Sequence, residues 1–186
     1  MSPLSLNTYT ETELLALCKE GDRQACKKLF DLYSGKMMAL CYRFARDRNE
    51  AEDILQEGFV RVFTKLHLYK GVGSFESWMK KVIVNTALKY RDKNIRKHHY
   101  SEIDNVHVFD NTPNIIEELS KEEILKLIQE LPEGYRTVFN LYVIEGYSHK
   151  DIGQLLNIGE STSRSQLVKA RKLLQQKFMN LIKLAG

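Results

Sequence analysis

The chain has 186 residues, 43% of them hydrophobic, and carries a formal net charge of +4. This length is sufficient for one larger domain or two small ones with ordinary buried cores. The sequence contains no apolar run long enough to span a membrane and no segment typical of a signal peptide, which argues against a secreted or membrane-inserted protein and predicts a cytoplasmic one.

The first part of the chain predicts two amphipathic helices in succession. Thr10 and Glu13 have the spacing of a capping box, and Gly21 is suited to end the short helix that follows them. Asp22 then starts a second helix, whose apolar residues keep helical spacing over about six turns. The pattern ends in the polar stretch 46–49.

A third and a fourth helix are predicted before residue 98. We expect Asn49 to cap the third helix. Its apolar face consists of Ala51, Ile54, Leu55, Phe59, Val62, Phe63 and Leu66. Gly71 and Gly73 mark a loop, and Ser74 is placed to cap the fourth helix. The side chains that we expect the fourth helix to bury are Trp78, Val82, Ile83, Thr86 and Tyr90.

Residues 98–113 lose helical periodicity and end in Asn-Thr-Pro, which predicts a flexible linker in an acidic part of the chain. Beyond it, fresh apolar periodicity and a proline at position 132 predict further helices. The predicted fold is therefore all-α. Two small helical-bundle domains, residues 1–97 and 114–186, are joined by the linker 98–113.

The segment from Gly146 to Leu174 has the pattern of a helix-turn-helix. Ser148 is placed to cap its first helix, and Asn157 can take the positive φ of the turn. Ser161 or Thr162 is expected to start the second helix. That helix should bury Leu167, Ala170, Leu174 and Phe178 and expose Arg164, Ser165, Gln166, Lys169 and Lys172. A basic helix of this kind can enter the major groove of DNA.

A second basic stretch lies in the predicted fourth helix. Lys81, Asn85, Lys89 and Asp92 follow one another at steps of three and four residues, so they share one helix face. Lys89 and Arg91 can neutralise phosphates, and the Asn85 amide can pair with the edge of an unstacked base. The two basic blocks therefore predict two nucleic-acid-binding surfaces with an acidic segment between them.

The sequence offers no pattern typical of an enzyme. Cys18, Cys26 and Cys41 lack metal spacing, and we expect them to be reduced thiols that occupy small apolar positions. The histidines His67, His98, His99, His107 and His149 also lack ligand spacing. No metal, cofactor or small-molecule substrate is expected. The remaining alternative is a stand-alone helix-turn-helix regulator, for which the first domain would have to supply a ligand or signal site.

Ordered motifs along nearly the whole chain resemble the sigma factors of bacterial RNA polymerase, specifically the small extracytoplasmic-function group. The motifs are Gly21-Asp22-x-x-Ala25, Asp53-x-x-Gln56-Glu57-x-Phe59, Phe75-x-x-Trp78, Asn85-x-Ala87, Leu131-Pro132-x-x-x-Arg136 and Ala170-Arg171. The resemblance implies core RNA polymerase and promoter DNA as partners. A membrane-associated anti-sigma factor is a further partner that such proteins often have.

The resemblance also implies roles for individual residues. Polymerase docking is implied for Asp53, Gln56 and Glu57, and core packing for Trp78. Capture of melted minus-ten DNA is implied for Asn85, Lys81, Lys89 and Arg91, with the loop 70–75 as a lid. Contacts with the minus-thirty-five element are implied for Arg136, Arg164, Ser165, Gln166, Val168 and Lys169. Ser161 and Gln166 depart from residues common in the family, so the promoter preference of other members is not carried over.

Overall fold

The computed structural model describes residues 9–97 and 121–185, with side chains described over 9–93 and 123–181. Every regular element within these ranges is helical, in agreement with the all-α prediction. Contacts divide the chain between Asp92 and Lys93 into an N-terminal and a C-terminal unit, and each is treated by itself below. The predicted linker 98–113 lies outside the described residues, and the predicted domain boundaries stay a prediction.

The N-terminal unit contains helices α1 (Glu11–Lys19), α2 (Arg23–Phe44), α3 (Arg48–Thr64) and α4 (Phe75–Lys97), with a short 3₁₀ turn, Leu66–Leu68, after α3. The predicted capping box at the start of α1 is confirmed. At the other end of α1, Gly21 takes a φ of +92°. The Asp22 amide donates to the Leu17 carbonyl at 3.0 Å, which closes α1 in a Schellman turn, and the Asp22 side chain then caps α2.

The same turn corrects the expectation that all three cysteines are free thiols. Cys18 lies in the last turn of α1 and Cys26 in the first turn of α2, and their Cα atoms are 5.1 Å apart in a disulfide. Cys41 is a buried free thiol, and burial raises its pKa to about 12. The Schellman turn folds α2 back beside α1, so residues eight positions apart meet. Sequence spacing alone did not indicate this pairing.

We expect reduction of the Cys18–Cys26 disulfide to destabilise the N-terminal unit by about 2 kcal/mol, because the crosslink limits the freedom of the unfolded chain around a short loop. Thermal unfolding followed with and without dithiothreitol measures the change. The control is the double variant Cys18→Ser/Cys26→Ser, whose unfolding temperature should not respond to dithiothreitol. An equal response in that variant would show that the effect arises elsewhere.

The start of α3 and the buried face of α4 differ from the predictions. Asp47 caps α3 by accepting from the Glu50 amide at 2.8 Å, so the prediction that Asn49 is the cap was wrong. On α4, Ser74 accepts from the Ser77 amide at 3.2 Å, as predicted for a cap. The fully buried residues of α4 include Phe75, Met79, Ile83, Val84, Thr86 and Ala87.

Of the residues predicted to be buried on α4, Ile83 and Thr86 are buried, whereas Trp78, Val82 and Tyr90 are only half-buried. These three residues lie at the edge of the buried face rather than at its centre. The Trp78 ring stacks on Phe75 with a centroid distance of 5.8 Å and also lies 5.6 Å from Tyr69. The helix packs against α3 where Gly58 leaves room for Ile83. A Cβ at Gly58 would lie 3.0 Å from an Ile83 side-chain carbon. Met79 and Ile83, one turn apart, therefore define the face of α4 that enters the core.

The described part of the C-terminal unit contains α5 (Lys121–Gln129), α6 (Glu133–Phe139), a π-helical turn (Asn140–Ile144), α7 (His149–Leu156) and α8 (Glu160–Ala185). Leu131, Val138, Leu141, Ile152, Leu167 and Ala170 are buried and form its core. The predicted cap at Ser148 is confirmed as a capping box with Asp151, and Asn157 takes the left-handed conformation predicted for the turn.

The second helix of the helix-turn-helix begins earlier than predicted. The Ser163 amide donates to the Gly159 carbonyl at 3.0 Å, and α8 starts at Glu160 rather than at Ser161 or Thr162. Among the described helices, none combines the length and the apolarity that crossing a bilayer requires.

Candidate nucleic-acid interface

The predicted polar stripe on α4 is exposed along its whole length. Lys81, Asn85, Lys89 and Asp92 are all exposed, while Ile83 and Ala87 on the opposite side are buried. The buried opposite face holds the backbone that carries Asn85 in place. The side chain of Arg91 is only 16% exposed and lies 3.9 Å from Asp92. Arg91 therefore lies at the edge of the stripe rather than on it.

The loop before α4 has a defined shape. Gly71 and Gly73 take φ values of +77° and +75°, which are readily available to glycine. The Tyr69 hydroxyl donates to the Gly73 carbonyl at 2.8 Å and ties the two ends of the loop together. Val72, between the two glycines, is 86% exposed. The loop therefore presents an apolar side chain at its tip.

The loop and Asn85 are separated along α4. Asn85 lies ten residues beyond Phe75, the first residue of the helix. At 1.5 Å per residue this is about 15 Å along the helix axis. The start of α4, where the loop ends, and Asn85 therefore do not coincide.

The polar residues Asp53, Gln56 and Glu57 of α3 differ in their exposure and contacts. Asp53 and Gln56 are exposed, whereas Glu57 is half-buried. The Glu57 carboxylate accepts from Arg61 Nε at 2.8 Å. Burial, and then the hydrogen bond to Glu57, raise the pKa of Tyr90 on α4. Asp53 and Gln56 are thus presented to solvent, while Glu57 also connects α3 to α4.

On α8 the structure exposes Arg164, Ser165 and Lys169, as the helix-turn-helix pattern predicted, and also Val168, for which the resemblance implied a DNA contact. Arg164 forms an ion pair with Glu160 one turn earlier. The Lys169 ammonium lies 5.9 Å from the centre of the Tyr135 ring.

Gln166 is half-buried, and a Cβ at Gly134 would lie 3.7 Å from its amide group. Gln166 thus packs against α6, and the exposed reading surface consists of the four residues Arg164, Ser165, Val168 and Lys169.

Arg136 requires a correction to the predicted DNA contacts. Its side chain is buried, with 5% of its surface exposed, and its Nη1 donates to the Gln129 carbonyl at 2.8 Å. That bond satisfies a backbone acceptor at the end of α5 and fixes α6 to it. In this position the guanidinium supports the fold, so we remove Arg136 from the predicted phosphate contacts.

Two contacts that sequence analysis missed support the helix-turn-helix from inside. Ser163 is fully buried, and its hydroxyl lies 2.9 Å from His149 Nδ1. The His149 ring stacks on Tyr142 at a centroid distance of 4.2 Å. Burial, followed by the positive charge of Arg164, lowers the pKa of His149. A serine on the apolar face of α8 was the available sequence signal, since a buried hydroxyl requires a partner.

The tight turn of the helix-turn-helix depends on Gly153. A Cβ at this position would lie 2.9 Å from the backbone oxygen of Ile158, which is closer than real Cβ contacts come. The Ile158 amide in turn donates to the Gly153 carbonyl at 3.0 Å. Gly153 therefore lets the end of α7 and the turn approach each other directly.

Within residues 9–97 and 121–185, no group of three or more His, Cys, Asp or Glu side chains is placed to hold a metal ion. The exposed groups that the structure brings together are instead cations, amides and hydroxyls on helix faces. Such groups bind phosphates and base edges.

Comparisons with known proteins assign both units to one kind of protein. Residues 29–97 match the family described as Sigma-70 region 2, and residues 121–174 match the family described as Sigma-70, region 4. The ECF RNA polymerase sigma factor SigW of Bacillus subtilis is 30% identical over 88% of this chain and 94% of its own. The ECF RNA polymerase sigma-E factor of Haemophilus influenzae is 28% identical over 93% of this chain and 97% of its own.

Solved structures show the same fold. The sigma factor RpoE of Bartonella quintana, solved in complex with the anti-sigma factor NepR, has a TM-score of 0.50 at 18% identity and covers 81% of this chain and 94% of its own. CnrH, solved in complex with the cytosolic domain of CnrY, has a TM-score of 0.50 at 16% identity and covers 90% of this chain and 96% of its own.

Proposed function

The chain belongs to the extracytoplasmic-function sigma factors of bacterial RNA polymerase, and from this premise we propose how its two units divide promoter recognition. As an alternative sigma factor it binds core polymerase and promoter DNA and directs promoter-specific transcription without being an enzyme. In the proposed division, the N-terminal unit captures the melted minus-ten strand. The C-terminal unit reads the minus-thirty-five duplex.

One observation carries the proposal for the N-terminal unit. The α4 stripe places the Asn85 amide between two exposed cations, Lys81 and Lys89, on a helix whose other side is buried. The cations attract the phosphates of a strand, and the amide offers a donor and an acceptor to one unpaired base. Unstacking a base costs a few kcal/mol, and these contacts offset that cost only where the strand is open. Arg91, at the edge of the stripe, adds positive charge.

For the C-terminal unit, the exposed residues of α8 are proposed to read duplex edges. Arg164 and Lys169 can donate to bases or phosphates, Ser165 can accept or donate, and Val168, 64% exposed, can contact a thymine methyl group. Gln166, which is half-buried on α8, packs against Gly134 of α6 and supports this surface. Asp53 and Gln56, with Glu57 behind them, are proposed as the polymerase-docking face.

We place the protein in the cytoplasm, where core polymerase and promoter DNA are found. An anti-sigma factor is proposed as a further partner. RpoE, which has the same fold, was solved in complex with the anti-sigma factor NepR, and CnrH was solved in complex with the cytosolic domain of CnrY. The functional domains are proposed as residues 1–97 and 114–186, with 98–113 between them.

The duplex-reading part of the proposal is tested at Lys169. We expect Lys169→Ala to weaken binding to the minus-thirty-five element by about 1 kcal/mol, with altered preference at one base pair if the ammonium reads a base and a uniform loss if it meets phosphate. Run-off transcription by reconstituted holoenzyme over a library of upstream elements measures both effects. Lys150→Ala, on the exposed side of α7, is the charge-matched control. Unchanged transcription from every element would exclude Lys169 from the interface.

A further inference from the structure

Lys19, in the last turn of α1, contacts the loop that precedes α4. Its ammonium donates to the Tyr69 carbonyl at 3.1 Å and lies 5.9 Å from the centre of the Tyr69 ring. Tyr69 then donates through its hydroxyl to the Gly73 carbonyl at 2.8 Å. A continuous series of contacts thus runs from the end of α1 to the far end of the loop.

Both ends of this series are fixed. The backbone that carries Lys19 is held by the Schellman turn, in which the Asp22 amide donates to the Leu17 carbonyl at 3.0 Å and the Gly21 amide to the Cys18 carbonyl at 3.2 Å. At the loop, the Tyr69 ring packs against Phe75 and Trp78 at centroid distances of 5.5 and 5.6 Å. The loop tip, with Val72 between Gly71 and Gly73, is the part that extends into solvent.

We propose that Lys19 is a positioning residue for strand capture, because it holds the Tyr69–Gly73 loop in the shape that presents Val72 to an unpaired nucleotide next to the one at Asn85. This inference rests on the strand capture proposed above. The first residue of α4, where the loop ends, lies about 15 Å from Asn85 along the helix axis, which is further than one base extends, so in this proposal the loop and Asn85 contact different nucleotides of one strand.

The physical reason is preorganisation. A loop with two glycines at positive φ has many alternative conformations, and each must be lost when the loop orders against a strand. A hydrogen bond and a cation–π contact from Lys19 select the binding conformation before DNA arrives. Val72, an apolar side chain exposed at the tip, can then pack on a base face or fill an unstacked step.

The test uses holoenzyme reconstituted from core polymerase and the full chain, on promoter templates that carry each base in turn at each melted minus-ten position. Permanganate reactivity measures open complexes. We expect Lys19→Met to lower open-complex formation about fivefold on the preferred template, since the exposed contacts it removes are worth roughly 1 kcal/mol together. At one melted position, the difference in open-complex formation between the four bases should become smaller, and Lys19→Arg should restore this difference.

Lys27→Met is the matched control. Lys27 is exposed on α2 of the same unit and pairs only with Asp31, at 2.7 Å, among the contacts that the structure gives it. It removes the same charge without touching the loop and should leave discrimination unchanged. An equal loss in Lys19→Met and Lys27→Met would overturn the proposal in favour of general charge attraction. Wild-type discrimination in Lys19→Met would also overturn it.

Two further variants separate this inference from the proposed function. Val72→Ser, at an exposed site where folding is not affected, should flatten discrimination at the same position as Lys19→Met. Asn85→Ala should flatten it at a neighbouring position. If Asn85→Ala has no effect, the proposed capture at Asn85 fails. If Asn85→Ala acts as expected but Lys19→Met and Val72→Ser leave every position unchanged, only the role of Lys19 and the loop fails.

Discussion

Replacing Asn85 by alanine is expected to lower open-complex formation about 100-fold while leaving affinity for the upstream duplex unchanged. A good bidentate contact with a base edge is worth about 1–3 kcal/mol, and a loss near the upper end corresponds to this factor. Asn85 is exposed on a helix whose opposite face is buried, so the substitution should not alter the fold. Permanganate footprinting of the melted region and a gel shift on the upstream duplex measure the two effects.

Asn49→Ala provides the matched control for this experiment. Asn49 is also an exposed asparagine in the first unit, and the structure shows that Asp47 rather than Asn49 caps its helix. We expect the control to open promoters as the wild type does. Equal losses of strand opening and duplex binding in Asn85→Ala would mean that Asn85 supports the protein as a whole and does not capture a base.

The second large effect is expected at Gly153. Gly153→Ala should destabilise the helix-turn-helix by about 3 kcal/mol, because the new methyl group would lie 2.9 Å from the backbone oxygen of Ile158. The obstructing atom is backbone and cannot rotate away as a side chain would. The loss is a large share of the stability of a small domain, so binding to the upstream element should decline with it. Amide hydrogen exchange over α7 and α8 in the full chain measures the change.

Gly134→Ala is the corresponding control in α6. There the added Cβ would meet the Gln166 side chain at 3.7 Å, an ordinary contact, and alanine is the better helix former. This variant should be as stable as the wild type or slightly more so. If both variants behave alike, the close approach at Gly153 is relieved by movement of the turn.

Local sequence signals predicted the parts of the fold that depend on neighbouring residues. The capping box at Thr10, the cap at Ser148 and the left-handed turn residue Asn157 were each predicted correctly, because a cap or turn is satisfied within a few positions of the chain. The exposed stripe around Asn85 was predicted for the same reason. Helix periodicity places residues on a common face without knowledge of the rest of the fold.

The errors arose where a residue depends on a partner distant in sequence or across a turn. The periodicity of α4 is compatible with burial of either of two adjacent helix faces. Packing of Ile83 against Gly58 determines which face is buried, and it leaves Trp78 half-buried. The Cys18–Cys26 pair depends on how sharply the chain turns at Gly21. Arg136 matched a motif by position, but whether its side chain reaches outward or toward a carbonyl of the preceding helix is decided by three-dimensional packing.

In the proposed reading role of Arg164, its ion pair with Glu160 would affect how the protein searches DNA. In the structure Arg164 donates from Nη2 to Glu160, so a DNA group that needs this donor must displace the carboxylate. An exposed pair of this kind is worth less than about 1 kcal/mol, whereas two hydrogen bonds to a guanine edge exceed that amount. Random sequence therefore gains little from Arg164. We therefore expect sliding over random sequence to be fast, with Arg164 slowing the protein only at a site where a base completes the exchange.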